Sequence, residues 1–281
     1  MEGVDAHENK SHLCGNSMSS MIQYLKESTF AVNEVFAKSV NILKNHYFSV
    51  AGLCFLLFVT SNLSSMLASY MSEYNIVLSG FMALIFMIFY FGVNLTLFKY
   101  IMEIIDKEDG AKLSVSIPTT KELLYFFTAM LIILGVSMVI LLVISVVCWP
   151  LIYIKKEVST MASVSLIVSA ILTFLFIIRV AFYPFFIMDK HASSFRSIRL
   201  SFALTKGNVT KLLLILFCFA MLHILQVYFN FAGYTFFSIF LSIINSFLVV
   251  PLSSIVITVA YRNMMTAYAG GENPEILKNI I

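Results

Sequence analysis

The chain has 281 residues, of which 60% are hydrophobic and 12% charged, and its formal net charge is +3. An average soluble domain carries about 45–50% apolar and about 25% charged residues. A water-soluble globule could not cover this much apolar surface, and nothing in the charge pattern asks for nucleic acid, so the expected main solvent is a lipid bilayer.

Residues 1–18, MEGVDAHENKSHLCGNSM, are polar and aperiodic, which predicts a disordered tail. Charges run through residues 1–46 without an apolar core and a small-residue cleavage site, so no cleavable signal peptide is expected. From 19 to 45 the pattern becomes helical. At 100° per residue Ile22, Leu25, Val32, Val35, Phe36, Val40, Ile42 and Leu43 gather on one side. Gln23, Lys26, Glu27, Asn33, Glu34, Lys38, Asn41 and Lys44 gather on the other. That predicts an amphipathic helix lying at a membrane interface.

Residues 46–268 hold six apolar stretches, near 47–70, 77–102, 122–150, 161–188, 209–231 and 235–263. Each reaches the roughly 20 residues that a helix needs to cross a bilayer. None shows the alternation of a barrel strand, so the expected fold is all-α: a polytopic membrane protein with six transmembrane helices. Trp149 suits headgroup depth and Pro150 ends or kinks the third helix. Between helices four and five, residues 191–207 give a second amphipathic segment. Arg196, Arg199 and Lys206 form its basic stripe, and Phe195, Ile198, Leu200, Phe202 and Leu204 fill most of the remaining circumference. Gly270 and Gly271 stop the last helix, which leaves 269–281 as a tail.

Orientation follows from the basic residues. Of the 18 Lys and Arg, Lys155 and Lys156 lie in the loop after helix three and Arg179 lies within helix four; all the others fall on the opposite side. Lys and Arg are retained in the cytoplasm, so both termini and both amphipathic segments are expected on the cytoplasmic face of the cell (inner) membrane, facing anionic headgroups. The two amphipathic segments also align at an offset of 162, pairing Ser39 with Ser201 and Lys44 with Lys206, while FKYIM (98–102) meets YRNMM (261–265) at 163. This reads as a parallel internal repeat of an amphipathic helix followed by a membrane hairpin.

The run RVAFYPFFIMDKHASSFRSIRLSFALTKGNVTKLLLILF and the later PLSSIVITVAYRNM carry a resemblance. Its residues are Arg179, Pro184, Asp189, Ser201 with Leu204-Thr205-Lys206-Gly207-Asn208, Pro251 and Tyr261-Arg262. In these the chain resembles the YciC-like group of bacterial multi-pass membrane proteins. That group is related in pattern to the membrane domain beside some glycerophosphodiester phosphodiesterases. The resemblance implies six membrane helices and no established activity. The acid/base and metal-binding residues of the phosphodiesterase domain are missing from this chain.

Polar residues within the spans are the candidate sites, since an ionisable group in hydrocarbon is costly. Arg179 and Asn94 lie at similar depth and are positioned to meet, with carbonyls freed by Pro184 as further acceptors. Two readings of Arg179 are open: a ligand for an anionic headgroup or solute, or a structural pin snorkelling to the interface. His223, Gln226 and Asn230 form a stripe on helix five at i, i+3 and i+7, and Asn245 on helix six reaches a similar depth. Such a stripe lines a cavity or glues helices together. No carboxylate lies well inside a span, which disfavours a proton- or sodium-coupled pump. Cys14, Cys54, Cys148 and Cys218 show no paired or metal-ligand spacing, so neither a metal nor another cofactor is expected. The functional expectation is a non-enzymatic membrane protein that organises anionic lipid or a membrane protein partner, with Arg196, Arg199 and Lys206 on headgroups. The alternatives are a carrier for a lipid-like or small anionic solute and, more weakly, a membrane-embedded enzyme.

Overall fold

The computed structural model describes residues 30–72, 75–107, 113–150 and 158–269. The expected disordered tail (1–18), the first part of the amphipathic segment (19–29), the loop with Lys155 and Lys156 and the tail after Ala269 lie outside them. The described residues form nine α-helices and no strand. They are α1 (Val32–Ser72), α2 (Ile76–Asp106), α3 (Thr120–Cys148), α4 (Val158–Val180), α5 (Tyr183–Lys190), α6 (Ser194–Thr205), α7 (Val209–Phe231), α8 (Thr235–Ile244) and α9 (Val250–Ala269), with a π-helical turn at Asn245–Val249 joining the last two. Six helical stretches are long and apolar enough to cross a membrane, one of them made of α4 with α5 and another of α8 with α9. The fold is that of an all-α polytopic membrane protein.

Local chemistry sets the helix starts. Asn75 caps α2, its side chain accepting from the backbone N–H groups of Val77 (2.8 Å) and Leu78 (3.3 Å). Thr119 and Glu122 form a reciprocal capping box at α3, which satisfies two otherwise orphaned N–H groups.

Three long helices are interrupted, and each interruption has a cause or a partner in the sequence. In α1 the backbone leaves helical geometry at His46 (φ −121°, ψ 22°), which separates residues 32–45 from the apolar remainder. Between α4 and α5, Pro184 sits in the first turn of α5 and cannot donate to Val180, so the ladder breaks there. In the last span Pro251 cannot donate to Phe247 four residues back. The π turn takes up the misfit, and the Tyr47 hydroxyl donates to the Phe247 carbonyl at 3.1 Å. Pro251 therefore sits inside a continuing helix, not at a turn.

The helices pack in a graded way. α1 packs chiefly on α2 and α9, α3 on α4, and α7 on α8, while the short α5 and α6 touch each other and both meet α3. The buried core gathers at the end that carries the charged residues, drawing on Leu95, Ile101, Phe126, Phe182, Phe185, Ile187, Val259 and Tyr261. α2, with 31 residues, is about ten longer than a bilayer needs. Its buried residues all lie in the second half, from Val93 to Ile104. We call this the charged end and the opposite one the apolar end.

The internal repeat has structural counterparts. His46 and Asn208, 162 positions apart, both mark a helix junction, with backbone angles of −121°, 22° and −111°, 3°. Ser39 and Ser201 are both fully buried. Phe98 and Tyr261, the first residues of the matching exit sequences, lie 4.8 and 4.9 Å from the ring of Phe185. The short helix α5 thus inserts its phenylalanine between equivalent positions of the two halves.

Candidate functional site: the break in the fourth span and the helix that seals it

The α4–α5 break would leave polar backbone uncovered, and α6 covers it. Ser201 Oγ donates to the Arg179 carbonyl (2.8 Å) and accepts from the Phe182 N–H (3.1 Å). Thr205 Oγ1 lies 3.1 Å from the same carbonyl and 2.9 Å from that of Ser201. Ser194 Oγ donates to the Tyr125 carbonyl of α3 at 2.8 Å. The face that α6 buries is therefore mostly hydroxyl, Ser194, Ser197, Ser201 and Thr205, with Leu200 and Leu204 beside it. Small side chains that are both donor and acceptor let one helix approach another's backbone and satisfy it.

With that face inward, Arg196, Arg199 and Lys206 are exposed, and Phe195 is 72% exposed beside them. Phe176 of α4 and Phe202 of α6 meet at 5.7 Å between ring centroids. Arg179 lies three residues beyond Phe176 and is half-buried. Its backbone carbonyl serves the serine seal, and its guanidinium has no carboxylate partner among the described residues. Asn94 is half-buried on α2, and no hydrogen bond joins it to Arg179. Gln226 is half-buried with its Oε1 buried and lacking a hydrogen-bond partner. His223 and Asn230 are exposed, and half-buried Asn245 opens the π turn, where its carbonyl accepts from the Val250 N–H. No hydrogen bond unites the four.

Two ionic clusters that charge counting alone did not indicate hold the charged end together. Asp189 of α5 accepts from the Tyr261 hydroxyl (3.1 Å) and from Arg262 Nη1 (2.9 Å), and Arg262 Nη2 reaches Asp106 at the end of α2. Three separate spans thus end on one guanidinium. In the second cluster, Glu122, whose side chain is 3% exposed, faces Lys99 Nζ at 3.4 Å and His191 Nδ1 at 3.0 Å while still capping α3. His191 adopts a left-handed conformation (φ 49°) that ends α5 and turns the chain toward α6. Among the described residues Cys54, Cys148 and Cys218 are free, and no three His, Cys, Asp or Glu side chains gather as metal ligands.

Two apolar cavities are also present. One, of about 530 Å³, lies between α3 and α4, and its lining includes Leu134, Met138, Ser169 and Ile177. The other, of about 120 Å³, lies between α1 and the π turn and is lined by residues including Cys54, Phe58 and Ser246. Neither includes Arg179 or the α7 stripe in its lining. No protein-family model, curated protein or solved structure matches this chain, so its chemistry is read from its own geometry.

Proposed function

We propose that this is a non-enzymatic protein of the cell (inner) membrane, related to the YciC-like group, whose charged end lies in the cytoplasm and organises anionic lipid or a membrane protein partner. The observation that carries the reading is the placement of α6. Its hydroxyl face is fixed to the α4–α5 break, so Arg196, Arg199 and Lys206 are held outward on a rigid element beside an exposed phenylalanine. A basic, aromatic face at the end of a span is suited to anionic headgroups, each cation being worth about 1 kcal/mol there. Retention of basic residues on the cytoplasmic side supports the orientation.

The test is lipid enrichment around the full-length protein in mixed phosphatidylglycerol–phosphatidylcholine nanodiscs. Replacing Arg196, Arg199 and Lys206 together by Gln should abolish phosphatidylglycerol enrichment and its salt sensitivity. Unchanged enrichment would refute the headgroup reading. A carrier function has one favouring observation, the unpartnered Gln226 oxygen within a span. Uptake of a small anion by proteoliposomes, lost in Gln226→Leu, would establish that reading instead.

A further inference from the structure

We infer that the outer half of α7 presents a seam for a second copy of this chain, paired in the membrane through His223 and Asn230. The seam is a different surface from the basic face of α6 and does not depend on the headgroup reading. Along α7, Leu216, Ala220, His223, Val227 and Asn230 recur at alternating spacings of four and three. At 100° per residue this puts all five on one stripe, as in the seam of a coiled coil. The stripe lies roughly 100–140° round the helix from Ile215, the one buried residue of α7, and from Phe229, which stacks on Phe237 of α8 at 5.5 Å. Leu216, His223, Val227 and Asn230 are exposed and Ala220 is half-buried. The small Ala220 lets a second backbone come close.

Two of the five are polar, and the chain answers neither. His223 stands eight residues before the end of the helix, about 12 Å inside it at 1.5 Å per residue, below the headgroup layer. Among the described residues neither side chain makes a hydrogen bond, whereas Thr60, Thr96, Thr128 and Ser137 of other spans each bond a carbonyl of their own helix. A polar group that faces hydrocarbon without a partner is costly. An apolar face gains little by leaving lipid, so these two side chains are what drives the seam onto another protein surface. Register makes that surface a second copy. Every copy enters the bilayer in the same sense, so a two-fold axis along the membrane normal sets two α7 helices parallel and brings each residue opposite its counterpart at the same depth. Both polar types suit self-pairing. A neutral imidazole holds one N–H donor and one acceptor nitrogen, and a carboxamide likewise holds both, so each pair closes a hydrogen bond without a third group. One polar residue in a coiled-coil seam fixes register, and here two stand seven residues apart. A partner of different sequence would have to supply matching groups at both depths.

Single-molecule photobleaching of the full-length protein, singly labelled and diluted into liposomes at falling protein-to-lipid ratios, tests this. Wild type should form dimers, seen as two bleaching steps. His223→Leu and Asn230→Leu should each lower the dimer association constant about threefold to tenfold, and the double variant should lower it further. Leu225→Ala, on the opposite face of α7, should leave it unchanged. Leucine suits a helix in lipid, so the two substitutions weaken pairing without threatening the fold. Oxidative cross-linking in native membranes gives a second reading: Val227→Cys should add a cross-linked dimer and Leu225→Cys should not. One bleaching step at every density would overturn the inference. Dimers that persist unchanged in the double variant, or a cross-link through Leu225→Cys alone, would place the contact elsewhere and overturn the seam. A different membrane protein that copurifies with wild type and is lost in Val227→Trp would overturn the second copy as occupant.

Discussion

The two ends of this molecule hold together by different physics. At the charged end Tyr261 is fully buried, its ring lying 4.9 Å from that of Phe185 and 5.4 Å from that of Phe186, and ion pairs tie α2, α5 and α9 to one arginine. Toward the apolar end Leu142 of α3 is 63% exposed, and the most apolar window of that helix has no buried residue. In water such a surface would collapse on itself. In a bilayer it need not, because lipid tails are as apolar as leucine and little drives the helices together there. The contrast shows where this fold spends its packing: the spans are solvated by lipid, and the bundle is fastened where they leave it.

The sharpest way to break that contrast is Tyr261→Ala. Truncating a fully buried aromatic in a close-packed core costs about 3–5 kcal/mol, so unfolding of the purified protein by steric trapping or denaturant titration should show a loss of that size. Next comes Arg262→Gln. It leaves Asp189, whose side chain is 12% exposed, without its main counter-charge, and removing one partner of a largely buried pair costs about 3 kcal/mol. Adding Asp189→Asn should recover part of the loss, since the uncompensated charge is then gone. If Arg262→Gln is silent, the charged end is wet and its ion pairs are ornaments of the surface.

A smaller effect is expected at the seal. Ser201→Ala removes the acceptor for the Phe182 N–H and the closest donor to the Arg179 carbonyl. Leaving such groups unsatisfied costs about 1–3 kcal/mol. Thr205, 3.1 Å from the same carbonyl, offsets part of it, so a loss of about 1–2 kcal/mol is expected, with a larger one in the Ser201→Ala, Thr205→Ala pair.

What the sequence disclosed divides along the same line. The six spans were legible because hydrocarbon imposes a length and a composition on any helix that crosses it, and the observed stretches lie close to the expected limits except the first, which begins at Val32 and not near 47. The kink at His46 falls at the expected boundary between residues 45 and 46, where the uniformly apolar stretch begins. The α6 seal was not, because Ser194, Ser197, Ser201 and Thr205 look polar and a search for an apolar face passes over them. Their spacing of i, i+3, i+7 and i+11 was the available signal, since it places four hydroxyls on one line of a helix next to a proline-broken span. Pro184 did announce freed carbonyls. The carbonyl that α6 hydroxyls take up is nevertheless that of Arg179, one residue before the one Pro184 frees, and the Arg179 side chain is uninvolved. The ionic clusters were hidden for another reason: Asp106, Glu122, Asp189 and Arg262 stand at helix ends far apart in the chain, and only the packing of α2, α3, α5 and α9 brings them together.

The smallest expected effect tests the comparison most directly. Leu131→Ala removes three carbons, a branch point and its two methyls, from a side chain facing outward on α3. If lipid covers that face, tail carbons replace the lost contacts and no cavity forms, so stability should change by no more than about 0.5 kcal/mol. Ile101→Ala, with the same loss of carbons from a fully buried position on α2, should cost about 2–5 kcal/mol. A near-zero value for the first and a large one for the second would put lipid, not protein, around the outer face of α3. Equal losses would mean that a second protein surface covers α3 in the membrane, because only a closely packed neighbour makes the loss of those carbons felt.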